Sequence, residues 1–446
     1  MAINRNRRTA IIYLVLDLLS VAVIFNVVVI ARLMVNQPLL WPLVVPALIF
    51  VVILHLIDGY GAQTDMLSLD YASIHTIASA FAAFATLFCT FALIPSGFEL
   101  RSSRSAIVVS FSIIGAVTLA YRRVIYERNI AARGLRKIVF VGNEDDFGLF
   151  KAECLRLKTN KPLVRIYNED NYDRLEALLD PNSDQHTEVE AIVIKESATN
   201  LPADVPMKLM QLYFSGVPTY TLELFHQVYW RKIPLYRINP TWLFQEGFRV
   251  ARDPVFEHTK RVFDTVAAFL GLILSAPVIT LAAIAIKMED GGNIFFRQQR
   301  VGKHRVKFGI LKLRTMRESS ATDALYTSQG DLRITRVGRI LRSARLDELP
   351  QLWNVLRGDM SLIGPRAEWD ILVEKYEREI PCYHFRHLVK PGITGWAQVC
   401  YRYGMGVEDT LRKLEYDLFY IRNFSFTLDA SIVLKTLQVM LLQKGH

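Results

Sequence analysis

The chain has 446 residues, 51% of them hydrophobic and 22% charged, with a net charge of +10. It is too apolar for an ordinary water-soluble protein, so part of it belongs in lipid, and it is long enough for two or three domains. The positive charge is spread along the chain, which suits an anionic membrane surface, phosphate-bearing substrates or nucleic acid alike.

Four apolar stretches, roughly 11–33, 39–57, 74–95 and 105–121, each approach the ~20 residues that cross a bilayer and predict a four-helix transmembrane domain over 1–122. Arg5, Arg7 and Arg8 precede the first stretch, which no small-residue cleavage site closes, so it reads as a retained helix. Arg122, Arg123, Arg128, Arg133, Arg136 and Lys137 follow the fourth, so both ends belong in the cytoplasm. Cys89, Cys154, Cys382 and Cys400 stand far apart without a CxxC pair, so neither a zinc site nor a disulfide framework is indicated.

Residues 136–250 have soluble α/β character, with strand-like runs at 138–142, 163–167 and 191–194. This looks like a Rossmann-type unit, but its first turn, Gly142-Asn143-Glu144-Asp145-Asp146-Phe147-Gly148, lacks GxGxxG and puts three acids where a pyrophosphate would lie. A spacer or regulatory module is expected there.

Val262–Ile286 is long enough to span a membrane, yet Lys260 and Arg261 precede it and Lys287, Arg297 and Arg300 follow. Basic residues on both flanks oppose a span, and Pro277 near the middle breaks or kinks a helix. A re-entrant helix that bends near Ser275 and Pro277 and returns to the same face satisfies both observations.

After it, cations sit on short strands and turns, among them Arg300, Lys303, Lys312 and Arg314. Arg333, Arg336, Arg339 and Arg342, with Leu332, Val337, Ile340 and Leu341 between them, predict a basic amphipathic helix in a headgroup layer. Next, Leu346-Asp347-Glu348-Leu349-Pro350-Gln351 predicts Asp347 as N-cap of a short helix that Gly358 closes, with Leu349, Leu352, Trp353 and Leu356 on its buried face. The acidic pair would then occupy a positive helix end, which favours a carboxylate and also a phosphoryl group. Gly364-Pro365-Arg366 sets a rigid turn whose arginine can fork onto phosphate, and Pro391-Gly392-Ile393-Thr394-Gly395 is a second turn suited to close backbone approach. A carboxylate nucleophile, arginines for a diphosphate and acidic oxygens for a divalent metal are what phosphoryl transfer without a His or Ser nucleophile requires.

In their order over 256–446, Lys260-Arg261 with Asp264, Gln299-Arg300 with Gly302, Arg314-Thr315-Met316, Arg342, the Leu346–Gln351 block, Gly364-Pro365-Arg366 and Pro391–Trp396 resemble the bacterial sugar transferases of the monotopic phosphoglycosyl transferase superfamily. With the segments before them, the whole chain is similar to the large polyprenyl-phosphate hexose-1-phosphate transferases that start exopolysaccharide or O-antigen repeat units. The resemblance implies a membrane α-helical bundle, a cytoplasmic Rossmann-like α/β domain and an α-rich monotopic catalytic domain, all at a bacterial inner membrane with both soluble parts on the cytoplasmic face. It implies Asp347 as nucleophile on a UDP-sugar, with UMP released and undecaprenyl phosphate as acceptor; glucose and galactose are favoured as the sugar. Glu348 would assist proton transfer or help Asp347 hold Mg2+, and Arg342 and Arg366 would bind phosphate, with Arg300, Arg314, Gly364, Pro365, Pro391, Gly392, Thr394 and Gly395 around the substrate. The bilayer and a second copy of the chain are expected partners; nucleic acid is not. Many family members have Ser-Pro at the re-entrant bend, whereas here Ala276 separates Ser275 from Pro277. Two rivals remain at this point: a nucleotide-sugar oxidoreductase built on the Rossmann-like unit, which the missing glycines oppose, and a transporter, which buried charge within the spans, at Asp17 or Arg32, would favour.

Overall fold

The computed structural model describes residues 2–33, 43–61, 64–93, 104–133, 137–157, 159, 161–166, 189–195, 205–215, 217–235, 254–317, 331, 333–401, 404 and 406–442. The chain divides into two compact units, Met1–Trp230 and Arg231–His446.

The first unit opens with four helices: α1 (Ala2–Leu33), α2 (Val44–Leu56), α3 (Leu69–Phe88) and α4 (Arg104–Arg133). Helices α1 and α3 pack on α4, and α2 packs on α3. Phe111 joins them at the centre, its ring 5.5 Å from Phe25 and 5.9 Å from Phe50, while Leu19, Val23, Val27, Phe84 and Phe88 face outward as lipid-facing positions would. Three stretches, Arg8–Ala31, Leu69–Phe91 and Arg104–Asn129, are long and apolar enough to cross a membrane. The second expected span differs: α2 has 13 residues, about 20 Å at 1.5 Å per residue, short of a ~30 Å hydrocarbon core. Its expected first residues, 39–42, lie outside the described ones, as do the side chains of Arg5, Arg7, Arg32 and Arg133.

Arg122 corrects the expectation of a free exit cation. It is fully buried and donates to Asp17 Oδ2 at 2.5 Å and to the Gly59 carbonyl, between the rings of Tyr13 and Tyr60. The Tyr60 and Tyr121 hydroxyls also donate to Asp17, so both carboxylate oxygens are engaged. Nearby Arg123 and Arg128 are left for the surface role.

The rest of the unit is a parallel sheet in the order β2-β1-β3-β4, from β1 (Lys137–Val141), β2 (Leu163–Ile166), β3 (Val189–Ile194) and β4 (Thr219–Thr221). Helix α5 (Glu144–Arg156) follows β1, α6 (Val205–Ser215) precedes β4 and a short α7 (Leu222–Phe225) follows it. Val139, Val141 and Ile192 pack on one face with Leu209, and Ile138, Phe140 and Val193 on the other with Phe150 and Phe225. Burial on both faces is why these strands read as continuous apolar runs. Asn143 caps α5 by accepting the Asp146 N–H at 2.9 Å, and Asp146 pairs with Lys195, so side chains occupy the helix end where a pyrophosphate would bind.

The second unit starts with the segment Arg231–Leu235, which the sequence reading placed in the α/β domain. Lys232 forms a fully buried ion pair with Glu415 at 2.9 Å, and Trp396 Nε1 donates to the Arg231 carbonyl at 2.8 Å. Helix α8 (Pro254–Asp290) has 37 residues and is the fourth helix long and apolar enough to span. The hairpin β5 (Phe295–Val301)/β6 (Lys307–Leu313) follows, then α9 (Arg336–Ser343), α10 (Gln351–Arg357), β7 (Ser361–Ile363), α11 (Asp370–Glu379), β8 (Gly392–Thr394) parallel to β7, α12 (Trp396–Cys400), α13 (Val407–Arg422) and α14 (Phe426–Leu441). The core centres on Tyr383, Trp396, Leu418 and Tyr420.

Pro277 lies inside α8, which continues on both sides of it. A proline withholds one N–H and bends a helix without necessarily ending it. Ser275 Oγ donates to the Leu272 carbonyl at 3.4 Å, so the displaced serine still meets the backbone. Helix α9 is shorter than the expected amphipathic helix; Val337 and Leu341 pack against Ala282 and Ile286 of α8, leaving Ile340 exposed. Leu332 lies outside the described residues.

Candidate active site

Between α9 and α10 the chain reverses at Arg345, whose φ of 55° is left-handed, and forms one tight 3-10 turn over Leu346–Glu348. Asp347 therefore sits in that turn and does not cap α10; the capping position is Pro350, with no side-chain cap. Gly358, at φ 92°, does close α10. Trp353 is 52% exposed, against the expected burial, and Val355 takes the buried place. The reason is register: with α10 starting at Gln351, Asn354 and Val355 face the hairpin, where Asn354 accepts from Leu311 N at 2.9 Å and donates to the Gly309 carbonyl at 2.8 Å.

The hairpin brings Lys312 to the acidic pair. Its ammonium donates to Glu348 Oε1 at 2.8 Å, and Arg366 approaches the same oxygen at 3.4 Å. Burial works against the Glu348 charge, but Lys312 and Arg366 together outweigh it and hold the carboxyl at about 2. Asp347 differs. It is 8% exposed and receives no side-chain hydrogen bond among the described residues; burial raises its carboxyl above the ordinary value, with Lys312 opposing and the Glu348 charge adding to the rise. Two adjacent carboxylates are thus pushed apart, one held as an ion and the other shifted toward its neutral form.

In the sequence Lys312 is one of several scattered cations. The alternation Phe308, Ile310, Lys312 on β6 places it inward, and that period-2 pattern is the signal that could have found it. Arg366 reaches the acidic pair directly. Arg300, Lys312, Gln351, Arg366 and Gly392 line one small cleft. Arg342 turns toward the hairpin end, its Nε donating to Thr315 Oγ1 at 2.9 Å, and Arg314 is paired with Asp290. Gly364, Gly392 and Gly395 sit backbone against backbone, so a Cβ on any of them would strike a main-chain atom of the others or of Lys390. These glycines interlock β7 with β8, and this contact accounts for the close approach that the sequence reading gave to substrate. Pro391 O accepts from Ser361 N at 2.8 Å, Pro365 O from Gly392 N at 2.9 Å, and Thr394 Oγ1 meets Thr436 Oγ1 at 2.8 Å. No group of three or more His, Cys, Asp or Glu side chains able to hold a metal occurs among the described residues.

The bacterial sugar transferase family model matches residues 255–443. A UDP-glucose:undecaprenyl-phosphate glucose-1-phosphate transferase of Caulobacter vibrioides is 48% identical over 185 residues, which are 41% of this chain and 69% of that protein. The chain belongs to the bacterial sugar transferase family. A UDP-N-acetylgalactosamine-undecaprenyl-phosphate N-acetylgalactosaminephosphotransferase of Aeromonas hydrophila is 46% identical over 42% of this chain and 45% of its own length. A UDP-galactose-lipid carrier transferase of Erwinia amylovora is 33% identical over 48% of each. The chain thus spans less than half the length of these last two relatives. In this sugar transferase the family region begins one residue into α8 and contains every element around Asp347.

Proposed function

We propose that this membrane protein transfers a hexose 1-phosphate from a UDP-sugar to undecaprenyl phosphate, releasing UMP. Asp347 carries the reading: a buried carboxylate that no side chain hydrogen-bonds among the described residues, raised by burial, one residue from an acid held ionised by Lys312 and Arg366. An Asp347 oxygen attacks the phosphorus that bears the sugar. The bond from that phosphorus to the bridging oxygen breaks, UMP leaves with the bridging oxygen, and an acyl phosphate joins Asp347 to the sugar phosphate. A polyprenyl phosphate oxygen then attacks the same phosphorus, the acyl phosphate bond breaks, and Asp347 returns as a carboxylate. Arg366 and Lys312 are placed to offset the diphosphate charge.

The donor set suits Mg2+, which takes one or two carboxylates and completes its shell with phosphate and water; Asp347 and the Glu348 oxygen not bonded to Lys312 would hold it. When bound it would neutralise charge on the diphosphate. The relatives' names differ in the sugar, so the donor is a UDP-hexose, with UDP-glucose and UDP-galactose the first to test. UMP release from a panel of UDP-sugars, with and without undecaprenyl phosphate, tests the reading; no UMP from any of them would refute it.

The membrane placement of α8 belongs to the same proposal: it enters and leaves on the cytoplasmic face. Near its start Lys260 pairs with Asp429 at 2.6 Å; near its end Glu289 accepts the Arg336 N–H at 2.7 Å. About 29 residue steps separate those two points, roughly 44 Å along a helix against a ~30 Å core. A straight span would therefore put parts of one packed unit on both sides of the bilayer. Val262, Phe263, Val266, Phe269, Leu270 and Leu274 remain exposed on α8 for the lipid. In a cysteine-free background, single cysteines at Val255 and at Asp290 should both resist an impermeant thiol reagent until the spheroplast is permeabilised. Labelling of one site alone in intact spheroplasts would establish a span.

A further inference from the structure

Arg366 stands on a loop, Pro365–Glu368, that has no helix or strand of its own to hold it. Its four consecutive carbonyls nonetheless each receive a fixed donor: Pro365 O from Gly392 N at 2.9 Å, Arg366 O from Arg386 Nη2 at 2.9 Å, Ala367 O from Arg300 Nη1 at 3.0 Å and Glu368 O from Val301 N at 3.1 Å. Two of the four donors are guanidinium groups. Arg386 is 6% exposed, and burying such a charge costs several kcal/mol unless it is paired. Its partners are Asp417 Oδ2 at 3.0 Å, from α13, and the Tyr383 hydroxyl at 2.5 Å, with the Tyr383 ring 5.0 Å from the guanidinium. The Nη2 that Asp417 holds gives its other N–H to the carbonyl of the one residue in this loop whose side chain reaches the acidic pair.

We infer that Arg386, fixed by Asp417 and Tyr383, is a positioning residue that with Arg300 sets the main chain of Pro365–Glu368 and thereby aims the Arg366 guanidinium at Glu348 and the donor's diphosphate. This rests on the reading that Arg366 acts on that diphosphate. It gives Arg300 a different task from phosphate contact, since its guanidinium is engaged with Ala367 O and, at 2.5 Å, with Gln298 Oε1.

The test is a double-mutant cycle on the full chain in membranes, with thermal unfolding as a folding control. Arg386→Lys keeps the charge but loses the fork, and should lower kcat/KM for UMP release by roughly tenfold or more in the wild-type background but by less than about twofold in an Arg366→Gln background, as residues acting through one another require. Equal losses in both backgrounds would overturn the inference. If Arg386→Lys does not fold, Asp417→Asn replaces it; the amide still accepts the hydrogen bond without the charge, and the same pattern is expected. Amide exchange of peptides covering 363–369 gives a readout independent of chemistry. Faster exchange in Arg386→Lys or Asp417→Asn supports the cradle, and unchanged exchange overturns it. Loosened exchange beside a wild-type protein that releases no UMP would refute the transferase reading and leave the cradle standing.

Discussion

The membrane bundle and the C-terminal unit each bury carboxylates, and Asp17 and Asp347 are treated in opposite ways. In the membrane bundle, Asp17 has both oxygens engaged by Arg122, Tyr60 and Tyr121, and neither charge of the pair is exposed. In the C-terminal unit, Lys312 and Arg366 both engage one oxygen of Glu348, whereas its neighbour Asp347 receives no side-chain hydrogen bond among the described residues and its carboxyl is raised by burial. A buried charge fully satisfied by its partners holds structure together, whereas one with fewer partners costs stability. The Asp17–Arg122 pair accordingly reads as a lock between α1, α4 and the loop carrying Gly59, and the buried charge inside the bundle supplies no argument for transport.

The contrast is most sharply broken at Asp347. Asp347→Asn should reduce UMP release by at least about a thousandfold, because an amide cannot serve as the nucleophile. Stability should be unchanged or higher: a carboxyl whose folded pKa is raised is penalised when ionised, so at neutral pH the amide removes a cost. Thermal unfolding and UMP release on one preparation check both halves. Asp17→Asn should do the reverse. It leaves Arg122 buried without a countercharge, at about 3–5 kcal/mol, while the chemistry per folded molecule stays within about twofold of wild type, since the two sites belong to separate compact units and share no partner.

Truncation sharpens the same division. Arg231–His446 should retain transfer, whereas a chain starting after 250 loses Lys232 and leaves the fully buried Glu415 to its longer pairing with Arg412 at 3.4 Å, with a stability loss of about 1–3 kcal/mol. Comparable unfolding of the two fragments would count against that boundary. The smallest effect is on pH. Lys312 lowers both acids, so Lys312→Met should raise both, and the acid limb of activity, where Asp347 takes its proton, should move to higher pH. A limb that stays in place would remove Lys312 from the electrostatics of the site.

What was legible in the sequence was whatever local pattern determines. Hydropathy marked α1, α3, α4 and α8, alternation and β-branched runs marked β1 to β3, and Gly358 marked the end of α10. The acidic pair and Arg366 were legible because their spacing around one short helix is local. Pairings across the chain were not. Arg122 looks like an exit cation until Asp17, 105 positions earlier, is brought beside it. Lys312 and Glu348 are 36 positions apart, and the Arg386–Asp417 pair 31. The glycines at 364, 392 and 395 signalled close approach correctly, but what approaches is the other strand of the β7–β8 pair. Asp347 was misplaced as a cap because the helix begins beyond Pro350, past a tight turn that the left-handed Arg345 makes.

In the proposed reaction Asp347 carries the sugar phosphate between donor and acceptor. The most direct measurement is to mix the protein with a productive UDP-sugar in the absence of undecaprenyl phosphate, quench in acid, and follow both UMP and the mass of the peptide containing Asp347. A burst of UMP approaching one per active site is expected, together with a hexose-phosphate adduct on that peptide that is lost when undecaprenyl phosphate is added and is absent from Asp347→Asn. UMP formed only when the acceptor is present, with no adduct in a preparation that turns over normally, would contradict it.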